Sequence, residues 1–499
     1  MIGIVNNFRI VNFSISFAMS KITLFVAFFC SSVLIYDIEA QATAIPDANF
    51  EQALIDLGID SDGVINGEVL TADIQGITSL NVSEKSISNL TGIEDFEQLT
   101  ALYCQNNDLA SLNITENTEL QILDCSSNQL SSISVRSNLK LKNLRCSNNS
   151  ITEIRVSDNT DLEELYVDDN QLMTLNVKDN LKLTALNCSS NQLSILNITD
   201  NWYLKYLDFS FNNLDLISLI NQVNLEFLDV SSNPLTTLNL ISLSALKTIR
   251  IVDNDLLPII FFDSNPKLEY ISCHDNEILG IIKLKDTDAL TYLNCSNNDL
   301  TELITSQSPL LESLYCQNNK ISILDLHLND KLAFLKCNDN DLEYLNIKNG
   351  QNSLLAGGDT EYEGVITYME GVNATNNAKL QCIDVDDETA ANAGTAPYDS
   401  WLKDDTTSYS EDCQSFLGVE DYLADHKIDV YPNPADESVC ITADQQIIHR
   451  VVIYTVLGNQ AKEVWSDFGN IALQGLNSGI YFISIQLENG IVFKRLIKK

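Results

Sequence analysis

The sequence predicts a repeat solenoid of about twelve 21–22-residue coils, with a curved parallel β-sheet and a short extended or 3-10 back, followed by a small C-terminal β-sandwich. Three observations predict it. An apolar frame closing on asparagine returns as LTALYCQNNDL (99–109), LQILDCSSNQL (120–130), LTALNCSSNQL (183–193), LTYLNCSNNDL (290–300) and LESLYCQNNKI (311–321). Its asparagines stay in phase as Asn107, Asn128, Asn149, Asn170, Asn191, Asn212, Asn233, Asn254, Asn276, Asn298, Asn319 and Asn340, in steps of 21 with two of 22. Residues 428–499 then change character, with six basic and seven acidic side chains in a chain that has 29 and 69.

At 499 residues the chain exceeds one ordinary core, and 45% hydrophobic content argues against global disorder. A net charge of −40 argues against nucleic acid as a partner, because its phosphates would be repelled. Residues 1–40 read as a signal peptide. KITLFVAFFCSSVLIY (21–36) is one lysine followed by a mostly apolar run, and DIEAQA (37–42) supplies small residues for cleavage after Ala40 or Ala42. Translation is expected to begin at Met19. Cys30 follows Phe28 and Phe29 instead of the small residues of a lipoprotein site, so an exported, non-lipidated chain is expected, with no integral membrane segment after cleavage.

Residues 41–76 are expected to cap the solenoid, because a first coil without a cover exposes its core. IPDANFEQALIDLGI (45–59) has helical spacing, with Phe50, Leu54 and Leu57 on one face. DSDGVINGEVL (60–70) matches part of a calcium loop, with Asp60, Asp62, Gly63 and Asn66 at loop positions three, five, six and nine. Gly58 and Val69 fall where positions one and twelve need ligands, so a turn before a strand is the expectation.

Coils span 77–348. In each, the alternating run becomes a short strand with one side inward. The chain turns at the asparagine, whose buried amide can bond backbone groups of its own and the neighbouring coil. Cys104, Cys125, Cys146, Cys188, Cys273, Cys295, Cys316 and Cys337 share one inward position that other coils fill with Val167, Phe209, Val230 and Ile251. They are therefore read as small buried hydrophobes. Ligands a whole coil apart do not converge as paired CxxC ligands do, so neither metal nor cofactor is expected. These twelve copies resemble the leucine-rich repeat family, LxxLxLxxNxL, in a short bacterial version with cysteine often at the third apolar position.

Residues 349–415 read as the last irregular repeats and a C-terminal cap, with NGQNSLLAGGDTEYEG (349–364) as an insertion. NAKLQCIDVDDETA (377–390) and WLKDDTTSYSEDC (401–413) resemble the cap that follows such repeats in bacterial surface proteins. Cys382 and Cys413 lie off the ladder in an exported chain, and a disulfide between them is expected. After a linker at 416–427, residues 428–499 alternate apolar strands with Pro, Gly and Asn turns. YPNPA (431–435) with Pro432, Asn433 and Pro434, a turn ending at Gly458, LNSGIY with Gly479, and a basic end with Lys498 and Lys499 resemble the type A C-terminal sorting domain of the type IX secretion system. The resemblance implies a Bacteroidetes-type origin, passage across the outer membrane by the type IX machinery, and attachment to the cell surface or release.

No catalytic constellation emerges. The four histidines, His274, His327, His426 and His449, are scattered, and no HExxH, GxSxG or phosphate loop is present. Binding has more support. Outward strand positions bring aromatics to the C-terminal half, edged by charge: Tyr206, Phe227, Tyr270, Tyr292, Phe334 and Tyr315, with Asp229 and Arg250. Exposed aromatics with polar neighbours suit a protein or polysaccharide ligand on the concave face. Rings on adjacent strands also stabilise a sheet by themselves, and this second reading stays open. The expected protein is an exported, non-catalytic recognition or adhesion module. The alternatives are a purely structural surface component or, with less support, a polymer-degrading enzyme.

Overall fold

The computed structural model describes residues 41–499 except 242, 263–264, 363–364, 414–427, 444–446, 456–459 and 488–489. The segments expected to be a signal peptide (1–40) and a linker (416–427), and Gly458, therefore lie outside the described residues. The main element is a parallel sheet of fifteen short strands, running in chain order from Ser79–Asn81 to Leu402–Lys403. Register is kept throughout, with Leu102 opposite Leu123, Leu207 opposite Leu228 and Leu314 opposite Leu335. The middle residue of most strands is fully buried, which is what the LxLx frame requires when only one side of a three-residue strand meets the core.

The in-phase asparagines join coils. Asn191 Nδ2 donates to Val167 O of the preceding coil at 2.9 Å and to Cys188 O and Ser189 O of its own coil at 3.2 and 3.0 Å, while Oδ1 accepts the Leu172 N–H at 2.8 Å. Asn128, Asn149, Asn170 and Asn212 repeat this set. The residue before each is in the left-handed region, with φ between 50° and 58°, which turns the chain off the sheet. Asn, Asp and Ser fill those sites except at Phe211. Asn377 adds a further rung, donating to Cys337 O and Ala374 O and accepting the Leu342 N–H.

The two 22-residue steps change which residue after the asparagine points inward. Leu256 and Ile278, two residues after their asparagines, are about half exposed, and Leu257 and Leu279 are buried instead. The extra residue is absorbed in a turn, where the Leu257 and Leu279 N–H groups donate to Asn254 O and Asn276 O. Asn276 and Asn298 then accept from the N–H of the preceding asparagine, not from a leucine.

The back carries short strands such as Leu175–Asn176 and Ile323–Asp325, and a second row of amides. Asn117, Asn138, Asn159, Asn180 and Asn201 are fully buried and donate to two carbonyls of the coil before, as Asn180 does to Val156 O and Asn159 O at 2.9 and 2.8 Å. Gln222 and Asn265 continue the row. The eight ladder cysteines are free and buried.

The helix Ala48–Asp56 covers the first coil through Phe50 and Leu54, but Leu57 is its C-terminal cap residue and is exposed, a correction to the expected apolar face. Asp47 caps the helix with Oδ1, accepting from Asn49 N and Phe50 N, and grips the first coil with Oδ2, accepting from Ser88 N and Asn89 N. At the other end, the insertion forms an antiparallel hairpin, Gly358–Tyr362 with Val365–Met369, and Cys382 is disulfide-bonded to Cys413. Tyr398, Trp401 and Tyr409 close the core there. Residues 428–499 form antiparallel sheets of three and four strands with their own core of Val439, Ile441, Val451, Ile453, Ile483 and Ile485. Cys440, in the strand Ser438–Ala443, is partly exposed because Val439 and Ile441 on either side of it face inward.

Candidate binding surface

The outward residues of the long sheet build the candidate surface. In the first row the order is Tyr206, Phe227, Thr248, Tyr270, Tyr292, Ser313 and Phe334, each opposite the next. The rings form two stacked pairs and not one band. Tyr206 and Phe227 lie 4.7 Å apart at 6°, and Tyr270 and Tyr292 lie 4.3 Å apart at 5°. Thr248 divides the pairs, and Ser313 divides Phe334 from the second. Tyr315, two residues along its strand from Ser313 of that row, tilts onto Tyr292 at 5.4 Å. All are half-buried, since neighbours at strand spacing cover part of each ring.

The second row is polar. Asp208 faces Asp229, and Arg250 follows, its guanidinium 5.9 Å from the Phe227 ring centre. Burial pushes the Asp208 carboxyl above the usual carboxylate range, and the charge of Asp229 adds to this against hydrogen bonds from Ser210. Asp168 is raised by burial in the same sense. Burial also raises the Tyr206 and Tyr315 hydroxyls, so both remain protonated donors. Ring edges, phenol hydroxyls, carboxylates and a guanidinium therefore share one face. Such a face can take apolar contact and directional hydrogen bonds together.

One cluster was missed by a reading centred on the aromatic half. Arg145 stands 4.1 Å over Tyr166 and pairs with Glu164 at 3.1 Å, and Asn143 Nδ2 donates to the same carboxylate at 2.7 Å. Its signal is present in NLR (143–145) and ELY (164–166), whose outward residues alternate on adjacent strands.

The sorting-signal residues outside Gly458 converge although they are distant in sequence. Asn433, between Pro432 and Pro434, accepts the Ile497 N–H at 2.8 Å, Ala435 bonds Ile497 and Lys499, and Gly479 pairs with Lys498. Residues 429–499 match the family model of the secretion system C-terminal sorting domain. No curated protein matches the chain. Among solved structures, an internalin, InlF, from Listeria monocytogenes has a TM-score of 0.53 at 20% identity, covering 61% of this chain and 93% of that one. The functional domain of InlJ from the same organism, described as including a cysteine ladder, gives 0.47 at 22%, covering 92% and 99%. A leucine-rich repeat protein of Leptospira interrogans gives 0.45 at 26%, covering 50% and 69%. The likeness to InlF is one of fold and agrees with the solenoid expected from the leucine-rich repeat frame, and the sorting domain directs the chain to the cell surface or to secretion. Among the described residues no helix is long and apolar enough to cross a membrane.

Proposed function

For an exported chain in which a leucine-rich repeat solenoid precedes a secretion sorting domain, we propose a non-catalytic recognition function, binding a protein or polysaccharide on the concave outer face of the long sheet. The observation that carries it is the pair of aromatic stacks, the first edged by Asp208 and Arg250 and the second by Asn294 and Tyr315, which leaves ring edges and polar groups side by side on one face. Tyr206, Phe227, Tyr270, Tyr292, Tyr315 and Phe334 supply contact and Arg250 orients the ligand, whereas Asp229, expected to share that role, is only 7% exposed and accepts the Ser231 N–H, so it braces the surface from beneath.

The stacking also supports a second reading, in which rings at 4.3–4.7 Å serve only to stiffen the sheet of a structural surface component. The test is retention of surface-protein extracts and polysaccharides by the full chain and by a Tyr270→Ala, Tyr292→Ala, Phe334→Ala variant with unchanged circular dichroism. A partner held by the first and lost by the second supports recognition. Equal binding, or none, moves the structural reading to the front.

A further inference from the structure

Four carboxylates surround one turn of the N-terminal cap. Glu51 is fully buried but well met, accepting from Asn66 N at 2.6 Å and Gly67 N at 3.0 Å. Asp73 accepts from Ser61 N at 3.2 Å, and Asp62 accepts from Val64 N and Asn66 Nδ2 at 2.8 and 2.7 Å. Asp60 differs. It is 5% exposed, one oxygen takes only a 3.3 Å bond from Asp62 N, and Oδ2 is buried with no hydrogen-bond partner. The ion pair of the cap, Lys85 with Asp56 at 3.7 Å, leaves Asp60 out. A buried anion with unmet lone pairs is strongly disfavoured unless it takes up a proton or positive charge reaches it.

We propose that the loop at 58–67 is a calcium site anchored by Asp60, with Asp62 and loop carbonyl oxygens as further ligands. Calcium takes six to eight oxygens from mixed sources, carboxylate, carbonyl and water, in a tolerant geometry. The Asp-Ser-Asp-Gly run supplies two carboxylates, and Gly63, at φ 66°, supplies the sharp turn. The sequence alone favours a plain turn because ligands are missing at loop positions one and twelve. The unmet Asp60 oxygen reverses that preference, and the missing ligands set the affinity. Among the described residues no three Asp, Glu, His or Cys side chains form a metal-holding group, so carbonyls and water complete the shell. Such a site falls in the weak range of extracellular modules, about 10⁻⁴–10⁻³ M. Magnesium, which demands near-ideal octahedral geometry and gives up water reluctantly, is rejected.

The test is isothermal titration of the full chain with calcium chloride in about 0.15 M salt, which screens the surface charge, with magnesium chloride as background. One saturable calcium per chain is expected, weakened at least about tenfold in Asp60→Asn and unchanged in Asp56→Asn, whose carboxylate is exposed on the adjoining helix. In chelator, Asp60→Asn should melt no lower than the unsubstituted chain, since it removes an unmet charge. Absence of saturable binding, or equal affinity in Asp60→Asn, overturns the proposal. So does a lower melting point of Asp60→Asn in chelator, which would mean that the protein itself meets this carboxylate.

Discussion

Replacing Asn212 by alanine tests the ladder at a single atom. Three carbonyls lose a donor, but each keeps another: Cys188 O keeps Asn191 Nδ2, Phe209 O keeps Asn233 Nδ2 and Ser210 O keeps Ser190 N. The Leu193 N–H, which donates to Asn212 Oδ1 at 2.9 Å in a buried site, keeps none. An orphaned buried donor costs about 1–3 kcal/mol, and the weakened carbonyl contacts bring the total to about 2–4 kcal/mol. Native-state hydrogen exchange at Leu193 should then quicken by about thirty-fold to several hundred-fold. Amides several coils away, near Leu314, should not change, because a coil contacts only its neighbours. Asn212→Asp keeps the acceptor but turns a carboxylate toward three carbonyl oxygens. Its folded pKa must lie above the unfolded value of about 3.9, so the defect is largest at neutral pH and eases as the pH falls through that raised value. Unchanged protection at Leu193 in the alanine variant, or an aspartate variant milder than alanine at pH 7, would refute the account.

Further outcomes follow from other contacts. Burial pushes the Cys295 and Cys337 thiols up to about 12, so at pH 8 they stay protonated; a thiol reagent should modify Cys440 in the native state and the eight ladder cysteines only after denaturation. Replacing Cys382 and Cys413 together by alanine opens a loop spanning 31 residues and should cost about 3–4 kcal/mol by the chain-entropy relation, read as lower chemical stability of the C-terminal cap. At Asp47 burial raises the carboxyl pKa, but hydrogen bonds from Ser88, Phe50 and Asn49 outweigh it and hold the group below its ordinary value. That stabilisation is present above about pH 4 and lost as the pH falls through the lowered pKa, so urea melts of the unsubstituted chain and Asp47→Asn should converge in acid.

Repetition makes a fold legible, and that is where sequence and structure coincide. Twelve equal frames leave one solution for where each leucine points, and the strand register follows. Legibility fails where the period breaks. Leu256 and Ile278 satisfy the pattern as letters, yet one added residue turns them outward. Asn377 stands 37 residues past Asn340, a coil of 21 plus an insertion of 16, and so leaves the phase. The rear amides Asn117 to Asn201 have the right spacing but sit among other polar residues, and only burial sets them apart. On the candidate surface, outward positions follow from alternation, whereas the split of the rings into two pairs depends on what Thr248 and Ser313 leave unfilled. The Asp60 carboxylate shows the opposite limit: its motif is visible, and its unmet oxygen is not.

Because every rung joins only adjacent coils, the solenoid also has a mechanical character. A pull on one end, as flow would exert on a chain held at a surface, puts the same tension on every coil in series, and the coils give way one at a time. Each yielding coil would release about 70 Å of chain, from 21 residues at roughly 3.6 Å less one strand spacing. The molecule would lengthen in equal steps, dissipating force coil by coil while the remaining sheet kept its shape.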